Sequence, residues 1–275
     1  MPAIRKPWNR TELLLAMNLY CRIPFGRQHS HAPEVIKLAQ VLGRTPSSVA
    51  MKLNNFTSLD PEEKARGIKG LPGASRLDRQ IWDHFHTDWE EMAAESELLW
   101  KQLVEKPVTE NQDSPPSLEK PVEAPQEKTF SNDILKLPIG PTESIRTQKA
   151  RLAQGFFRRT VLAAYLGRCC ISDIPIPELL IASHILPWAL FPEQRINPCN
   201  GLCLSRLHDT AFDEGLITFD EDYRLVLSRR LKDYLPNESL QVNFSSYEGK
   251  PLHMPEKFFP EIKFLTHHRE HIFHK

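Results

Sequence analysis

The sequence has no long hydrophobic run, and this absence bears on where the protein can work. A transmembrane helix needs about 20 consecutive apolar residues. The apolar stretch VLAAYLG, residues 161–167, is too short, because the arginine-containing segments FFRR and RCC bound it on either side. The first ten residues, MPAIRKPWNR, contain no apolar signal segment either. We therefore expect a cytoplasmic protein without a membrane partner.

Cysteine is also scarce, with five in 275 residues. Their number is odd, and their spacing matches neither a secreted disulfide framework nor the CxxC pairs that bind structural zinc. We therefore expect reduced thiols and no structural Zn²⁺. The sequence also lacks the glycine-rich motif of a methyltransferase, so no companion modification activity is expected. The cysteines are Cys21, Cys169, Cys170, Cys199 and Cys203.

The formal net charge is zero, which excludes a wholly basic surface of the kind that covers many nucleic-acid-binding proteins. The charges are unevenly distributed. Residues 104–131 are rich in proline and acids and poor in aromatics, a composition that cannot bury enough apolar area to fold. We interpret them as a flexible linker between an N-terminal domain, residues 1–103, and a C-terminal domain, residues 132–275.

The N-terminal part contains a pattern typical of a helix-turn-helix unit. In PEVIKLAQVLGRTPSSVAMKLNNF, residues 33–56, a first apolar helical face stops at Gly43. Thr45 can cap a second helix whose first residue is Pro46. We expect the polar residues of the second helix to face outward and to contact DNA, although an ordinary helical hairpin is the alternative. The outward residues are Ser47, Ser48, Lys52 and Asn55, and the predicted DNA contacts are Ser47, Lys52 and Asn55.

The rest of the N-terminal part is predicted to be helical and carries four large aromatic residues. They recur at helical spacing among acidic residues, which would repel a phosphate backbone, so we assign them to a core rather than to base stacking. The same acidic face supports another interpretation of this part as a protein-interaction adaptor. The aromatic residues are Trp82, Phe85, Trp89 and Trp100.

A basic segment opens the C-terminal part. TESIRTQKARLAQGFFRRTVLAAYLGR, residues 142–168, predicts one helix with many cations and a single acid. A cluster of one sign suits contact with the DNA backbone, while a solvated surface is the alternative. The predicted contacts are Lys149, Arg151, Arg158 and Arg159.

Three chemistry-bearing residues follow in a strand, loop, strand and helix pattern. LIASHILPWA at residues 180–189 and GLCLS at residues 201–205 are predicted strands, and RLHDTAFDEG at residues 206–215 is a predicted short helix. This order would bring His184 on the first strand opposite His208 on the helix. Asn200 ends the loop and can tie it together.

These residues and their flanking segments resemble the HNH nucleases, which have a ββα-metal fold. The letters HNH stand for a first His, a middle Asn and a final His or Asn. The similarity is strongest to a group of predicted bacterial restriction endonucleases, through ASHILPW at residues 182–188 and NGLCLSRLHDTAFDEGLI at residues 200–217. It extends from about Gln148 to the C-terminal end. The string RTPSSVAMKLNNF, residues 44–56, also resembles domains joined to this nuclease type. The fold class we expect is α+β: a helical domain, helix-turn-helix-like, tethered to a ββα-metal domain.

The resemblance implies a catalytic role for each of the three residues. His184 would be the general base, because imidazole titrates near neutral pH. His208 would be a metal ligand, and Asn200 would hold the loop and orient His184. A divalent ion would neutralise charge on the phosphate. Mg²⁺ is the first expectation, with Mn²⁺ or Ni²⁺ as alternatives.

The sequence departs from the family at one position. Many HNH enzymes carry a metal-binding Asp or His directly before the base, where this chain has Ser183, a poor ligand for Mg²⁺. A carboxylate must then come from elsewhere. Asp213 is the first candidate for the metal site, followed by Asp209 and Asp173.

The resemblance thus predicts a metal-dependent endonuclease that cuts double-stranded DNA, in restriction or anti-phage defence. Cutting both strands is easiest with two sites, so a homodimer is an option. The alternative from another class is a DNA-binding regulator whose HNH domain is inactive, and Ser183 is its best support.

Overall fold

The computed structural model describes residues 6–105 and 141–275, with the backbone alone in residues 141–145. The predicted linker, residues 104–131, lies outside the described residues except for its first two positions. The domain boundaries therefore stay a prediction.

Residues 6–105 fold into six α-helices and one short 3-10 helix, and local sequence signals set the ends of the α-helices. Asn9 caps the first helix in a reciprocal capping box with Glu12. Gly43 adopts the left-handed conformation that ends the second helix, and the Thr45 side chain accepts a hydrogen bond from the Ser48 amide to begin the third. The helices are α1 (Arg10–Arg22), α2 (Pro33–Leu42), α3 (Pro46–Thr57), α4 (Pro61–Ala65), α5 (Arg76–Thr87) and α6 (Trp89–Leu103).

The prediction that Lys52 and Asn55 face outward on α3 is wrong. Both residues are buried, because α5 packs against this face of α3. The Lys52 amine lies 2.8 Å from a carboxylate oxygen of Asp78, which is itself fully buried. Ser47 is exposed, as predicted, and Ser48 is half-buried. The pair with Asp78 neutralises the cation that the sequence suggested for DNA contact.

The aromatic residues of the helical part are core residues, as predicted. Trp82, Phe85, Trp89 and Trp100 are all buried. Phe85 and Trp89 meet edge to face, and both rings lie near Phe156 of the following part. These contacts exclude the four residues as a base-stacking platform.

Residues 141–275 form the α+β part that the sequence predicts. α7 (Pro141–Ala164) leads to the antiparallel pair β1 (Leu180–His184) and β2 (Gly201–Ser205), in which Leu180 faces Ser205 and His184 faces Gly201. α8 (Arg206–Asp213) follows β2 directly and is capped by the Ser205 side chain. The remaining elements are β3 (Ile217–Phe219), its hairpin partner β4 (Leu225–Leu227), α9 (Arg229–Lys232), α10 (Glu238–Asn243) and α11 (Ile262–His271).

The helical part and the α+β part pack against each other over a shared core. α7 contacts both α1 and α6, and the buried apolar residues of the two parts form one cluster. The buried Lys257 amine donates to the carbonyl oxygens of Tyr20 at 2.6 Å and Ile23 at 2.9 Å. Among the described residues, no helix is long and apolar enough to cross a membrane.

Candidate active site

His184 is the last residue of β1, and its ring is held on three sides. It stacks on Phe157 of α7 with ring centroids 4.1 Å apart and packs nearly perpendicular to Trp188 with centroids 5.2 Å apart. Its Nε2 atom lies 2.8 Å from the carbonyl oxygen of Arg195. A carbonyl oxygen only accepts hydrogen bonds, so Nε2 carries the hydrogen and Nδ1 keeps the lone pair. The backbone thereby selects the tautomer in which Nδ1 can accept a proton.

The protonation state of His184 suits the same role. Burial lowers the pKa of the ring, and the hydrogen bond to the Arg195 carbonyl only partly opposes this shift. The imidazole is therefore neutral at neutral pH. A neutral, oriented imidazole can take a proton from water.

Asn200 closes the loop that carries the Arg195 carbonyl. Its buried side chain accepts from the Leu186 amide at 2.8 Å and donates to the Gln194 carbonyl at 3.1 Å. The first bond reaches the chain just after β1, and the second holds the residue before Arg195. These two bonds connect both segments that position His184.

The glycine after Asn200 is required by close packing rather than by a turn. A Cβ atom on Gly201 would lie 2.4 Å from the Cγ2 atom of Val161 and 3.0 Å from the Phe157 ring. Its φ of −122° is ordinary for a strand. The absence of a side chain lets α7 approach β2 closely, which places Phe157 against His184.

His184 lines a cavity of about 420 Å³ together with two carboxylates of α8. Asp209 and Asp213 are four positions apart and so lie on one face of the helix. Ser183, Trp188 and His268 of α11 also line the cavity. The structure thus brings together the predicted base and two of the three carboxylates considered for the metal.

The electrostatics of the cavity favour a bound cation. Burial raises the pKa of Asp209, and burial together with the charges of Asp209 and Glu214 raises the pKa of Asp213 to about 6. The buried Ser183 hydroxyl faces Asp209 and, with the charge of Arg206, only partly opposes the rise of the Asp209 pKa. A positive ion beside these carboxylates would stabilise the ionised form of Asp213, which burial and the charge of Asp209 disfavour.

The cavity offers only part of the ligand set that a metal ion needs. No group of three or more His, Cys, Asp or Glu residues is arranged as a metal site in residues 6–105 and 141–275. Mg²⁺ commonly binds proteins through one or two carboxylates and takes its remaining ligands from water and substrate phosphate. Asp209 and Asp213 fit that mode of binding.

The structure does not bring His208 to this cavity. The side chain is buried on another face of α8, with Nε2 2.8 Å from the Asn243 carbonyl oxygen. Its Nδ1 atom lies 3.0 Å from the Ser205 hydroxyl and 3.5 Å from the Cys169 sulfur. Both ring nitrogens are engaged, so neither can bind a metal in this arrangement. The role implied by the resemblance does not fit the geometry.

Asp173, the third carboxylate considered, also lies elsewhere. Its side chain pairs with Arg168 at 2.9 Å on the surface. Neither residue lines the cavity of His184.

The helical part compensates two of the four cations predicted to form a basic face on α7. Arg159 forms an ion pair with the buried carboxylate of Glu97, and Lys149 pairs with Glu91. Arg151 is exposed. Arg158 instead donates to the Leu180 carbonyl oxygen at 2.9 Å. The four cations therefore do not form one uncompensated surface.

Several residues that shape the site are not evident from the sequence. Phe157 and Trp188 contact the His184 ring, and Arg195 supplies the carbonyl oxygen that orients it. His268 of α11 lines the cavity and bonds the Phe212 carbonyl oxygen of α8 at 3.0 Å. Trp188 lies within the family string ASHILPW, which was the one available signal. Phe157 and His268 come from helices far along the chain, and Arg195 lies in the loop between β1 and β2, where no sequence pattern marks it.

A comparison with protein families agrees with this geometry. Residues 169–220 match the family model described as HNH endonuclease. This range includes His184, Asn200, Asp209 and Asp213, and it spans β1, β2 and α8. The chain therefore contains an HNH endonuclease domain, which belongs to a family of nucleases. A comparison with curated proteins finds no match.

Proposed function

We propose that the protein is a metal-dependent endonuclease that hydrolyses phosphodiester bonds of double-stranded DNA. The observation that carries this proposal is the shared cavity of His184, Asp209 and Asp213. It combines a neutral, oriented imidazole with two carboxylates that favour a cation. Hydrolysis of a phosphodiester by water needs such a general base and a site for a metal ion.

In this proposal His184 acts on a water molecule. Its Nδ1 atom accepts a proton while the water oxygen attacks phosphorus, and the Arg195 carbonyl stabilises the imidazolium through Nε2–H. The bond from phosphorus to the leaving oxygen breaks, and that oxygen takes a proton from solvent. A bound divalent ion would neutralise charge on the phosphate and on the leaving oxygen. Asn200 maintains the loop geometry throughout.

Asp209 and Asp213 are the residues that we assign to the metal. Mg²⁺ is the first expectation because the ligands are oxygen atoms, and Mn²⁺ or Ni²⁺ are alternatives. His208 then has a structural role, since it ties α8 to the chain around Asn243. This differs from the role that the family resemblance implies.

The test is cleavage of supercoiled plasmid with Mg²⁺, Mn²⁺, Ni²⁺ or a chelator. We expect metal-dependent nicking and linearisation by the wild type. Asp213→Asn should raise the metal concentration for half-maximal cleavage about ten-fold or more. Asp173→Asn is the matched control, because Asp173 lies on the surface outside the cavity. Equal metal titrations for both variants would remove Asp213 from the metal site.

We further propose a role in restriction or anti-phage defence, supported by the resemblance to predicted restriction endonucleases. Plaque counts on cells that express the wild type or His184→Ala test this role. Fewer plaques with the wild type alone would support it, and equal counts for several phages would count against it. Light scattering tests the homodimer that double-strand cleavage would favour.

The helical part is proposed to bind DNA through α3. Ser47 and Met51 are exposed on this helix, and together with Trp8 and Asn55 they line a surface groove of about 1110 Å³. Ser47→Glu should weaken binding of a DNA duplex by placing negative charge at the groove. Binding that is unchanged by this substitution and independent of salt would favour the protein-interaction adaptor.

The second candidate function is a DNA-binding regulator with an inactive HNH domain. Two observations favour it: Ser183 stands where many relatives have a metal ligand, and His208 lies outside the cavity. DNA binding without cleavage under any metal would support this candidate.

A further inference from the structure

We propose that a second cavity beside His184 binds the sugar and the phosphate next to the scissile phosphate, with Trp188 packed against the sugar and Arg158 paired with the neighbouring phosphate. This subsite rests on the proposed function, because it extends the same catalytic centre. The cavity has a volume of about 390 Å³ and lies between α7 and β1.

The two cavities adjoin the same residues around the proposed base. His184, Trp188, Ile181 and Ala182 line both of them. Asp209 and Asp213 line only the first cavity. Gln154, Phe157 and Arg158 line only the second. A DNA strand is a continuous polymer, so a phosphate held at His184 must be followed by another sugar and phosphate. The second cavity lies where that part of the strand would continue.

Arg158 is suited to the neighbouring phosphate because its charge is uncompensated. Within the part of the chain that the structure describes, its nearest partners are carbonyl oxygens, Leu180 at 2.9 Å and Pro177 at 3.4 Å. Arg159, the next residue, pairs instead with the buried carboxylate of Glu97. The guanidinium of Arg158 is thus fixed on β1 while its charge remains available to an anion.

Arg195 holds Trp188 in place through a hydrogen bond to the Trp188 backbone. The Arg195 Nε atom donates to the Trp188 carbonyl oxygen at 2.7 Å, and the Arg195 guanidinium lies 5.1 Å from the indole centroid. The ring is half-buried and lies nearly perpendicular to the His184 ring, with planes 79° apart. A fixed apolar wall of this kind, with Ile181 and Ala182 beside it, complements the carbon face of a deoxyribose and not a second phosphate.

The first experiment measures binding and needs no cleavage. In a His184→Ala background, the affinity for a random-sequence duplex of 20 base pairs is measured by anisotropy across a range of salt. Each phosphate contact contributes about 0.9 to the slope of log affinity against log salt. Arg158→Gln should lower the slope by about that amount. Arg230→Gln is the matched control, since Arg230 is exposed on α9 outside both cavities. An equal slope for all three proteins would overturn the role of Arg158.

The second experiment keeps His184 intact and compares cleavage of two substrates by the wild type and the variants. Bis(p-nitrophenyl) phosphate contains the scissile group but no neighbouring phosphate or deoxyribose. Arg158→Gln and Trp188→Ala should therefore lose at least about ten-fold more kcat/KM on plasmid DNA than on this small diester, and Trp188→Phe should recover most of the loss. Parallel losses on both substrates would show that the residues merely support β1, and would overturn the subsite.

The two proposals fail in different ways. If the wild type hydrolyses neither substrate with any metal, the nuclease proposal fails, while the salt slope still decides whether Arg158 contacts a phosphate. If the wild type cuts DNA and both variants behave like Arg230→Gln, the nuclease proposal stands and the subsite is wrong.

Discussion

The rings of Phe157 and His184 stack with centroids 4.1 Å apart and planes 8° from parallel. Phe157 belongs to α7 and His184 to β1, so the contact joins the long helix to the strand that carries the proposed base. It covers one face of the imidazole, while the Arg195 carbonyl oxygen holds Nε2. Together these contacts give the ring one orientation. Burial lowers the pKa of the ring, and the hydrogen bond to the Arg195 carbonyl only partly opposes that shift.

The first prediction concerns pH. Because burial lowers the pKa of His184 below its ordinary value of 6.5, the ring stays an acceptor down to mildly acidic pH. Single-turnover cleavage at saturating metal should fall only below about pH 6.5, as the ring becomes protonated. Phe157→Ala admits water and should move this fall to higher pH. A wild-type rate that keeps rising well above pH 7 would contradict the prediction.

The second prediction concerns the carboxylates of the cavity. The pKa of Asp213 is raised from 3.8 to about 6, so the folded state favours the protonated form. Its ionisation costs stability as pH rises through that range. In chelator at pH 8, Asp213→Asn should melt at a higher temperature than the wild type. Added Mg²⁺ should raise the melting temperature of the wild type more than that of the variant. Identical melting curves would show that ionisation of Asp213 costs the folded state no stability.

The third prediction concerns Gly201. A Cβ atom there would lie 2.4 Å from the Val161 side chain, so Gly201→Ala should reduce the free energy of unfolding by about 1–3 kcal/mol through overpacking. Val161→Ala opens space at the same point. The double variant should lose less than the sum of the single losses in urea denaturation. Additive losses would mean that the two residues do not compete for space.

The fourth prediction separates two roles for His208. Both of its ring nitrogens are engaged inside the protein, so His208→Ala should lower thermal stability. The metal concentration for half-maximal cleavage should stay within about two-fold of the wild type, since a ligand or its support typically changes metal affinity 10–100-fold. A large rise in that concentration, measured on folded protein, would restore His208 as a metal ligand.

The sequence could predict the elements around the site because their signals are local. The β-prone run before Pro187, the Ser205 cap and the helix after it define β1, β2 and α8. The family resemblance then points to His184 and Asn200. Asp213 could be proposed because a carboxylate was needed and α8 offered one.

Other features depend on which elements pack together, and no local pattern shows that. Lys52 looks solvent-facing on its own helix and is buried because Asp78 of α5 meets it. His208 occupies the family position, yet α8 turns it toward Cys169 and Asn243. The cations of α7 look uniform in sequence, and only their neighbours distinguish Arg158 from Arg159.

The most direct test of the central claim is chemical rescue of His184. In His184→Gly the space between Phe157 and Trp188 is left for a small molecule, so added imidazole can take the place of the ring. We predict that the variant binds duplex DNA like the wild type and cuts it at least 100-fold more slowly, in line with general-base contributions of about 10²–10⁴. Imidazole should restore cleavage in proportion to its neutral form. Cleavage by His184→Gly at the wild-type rate would contradict the account.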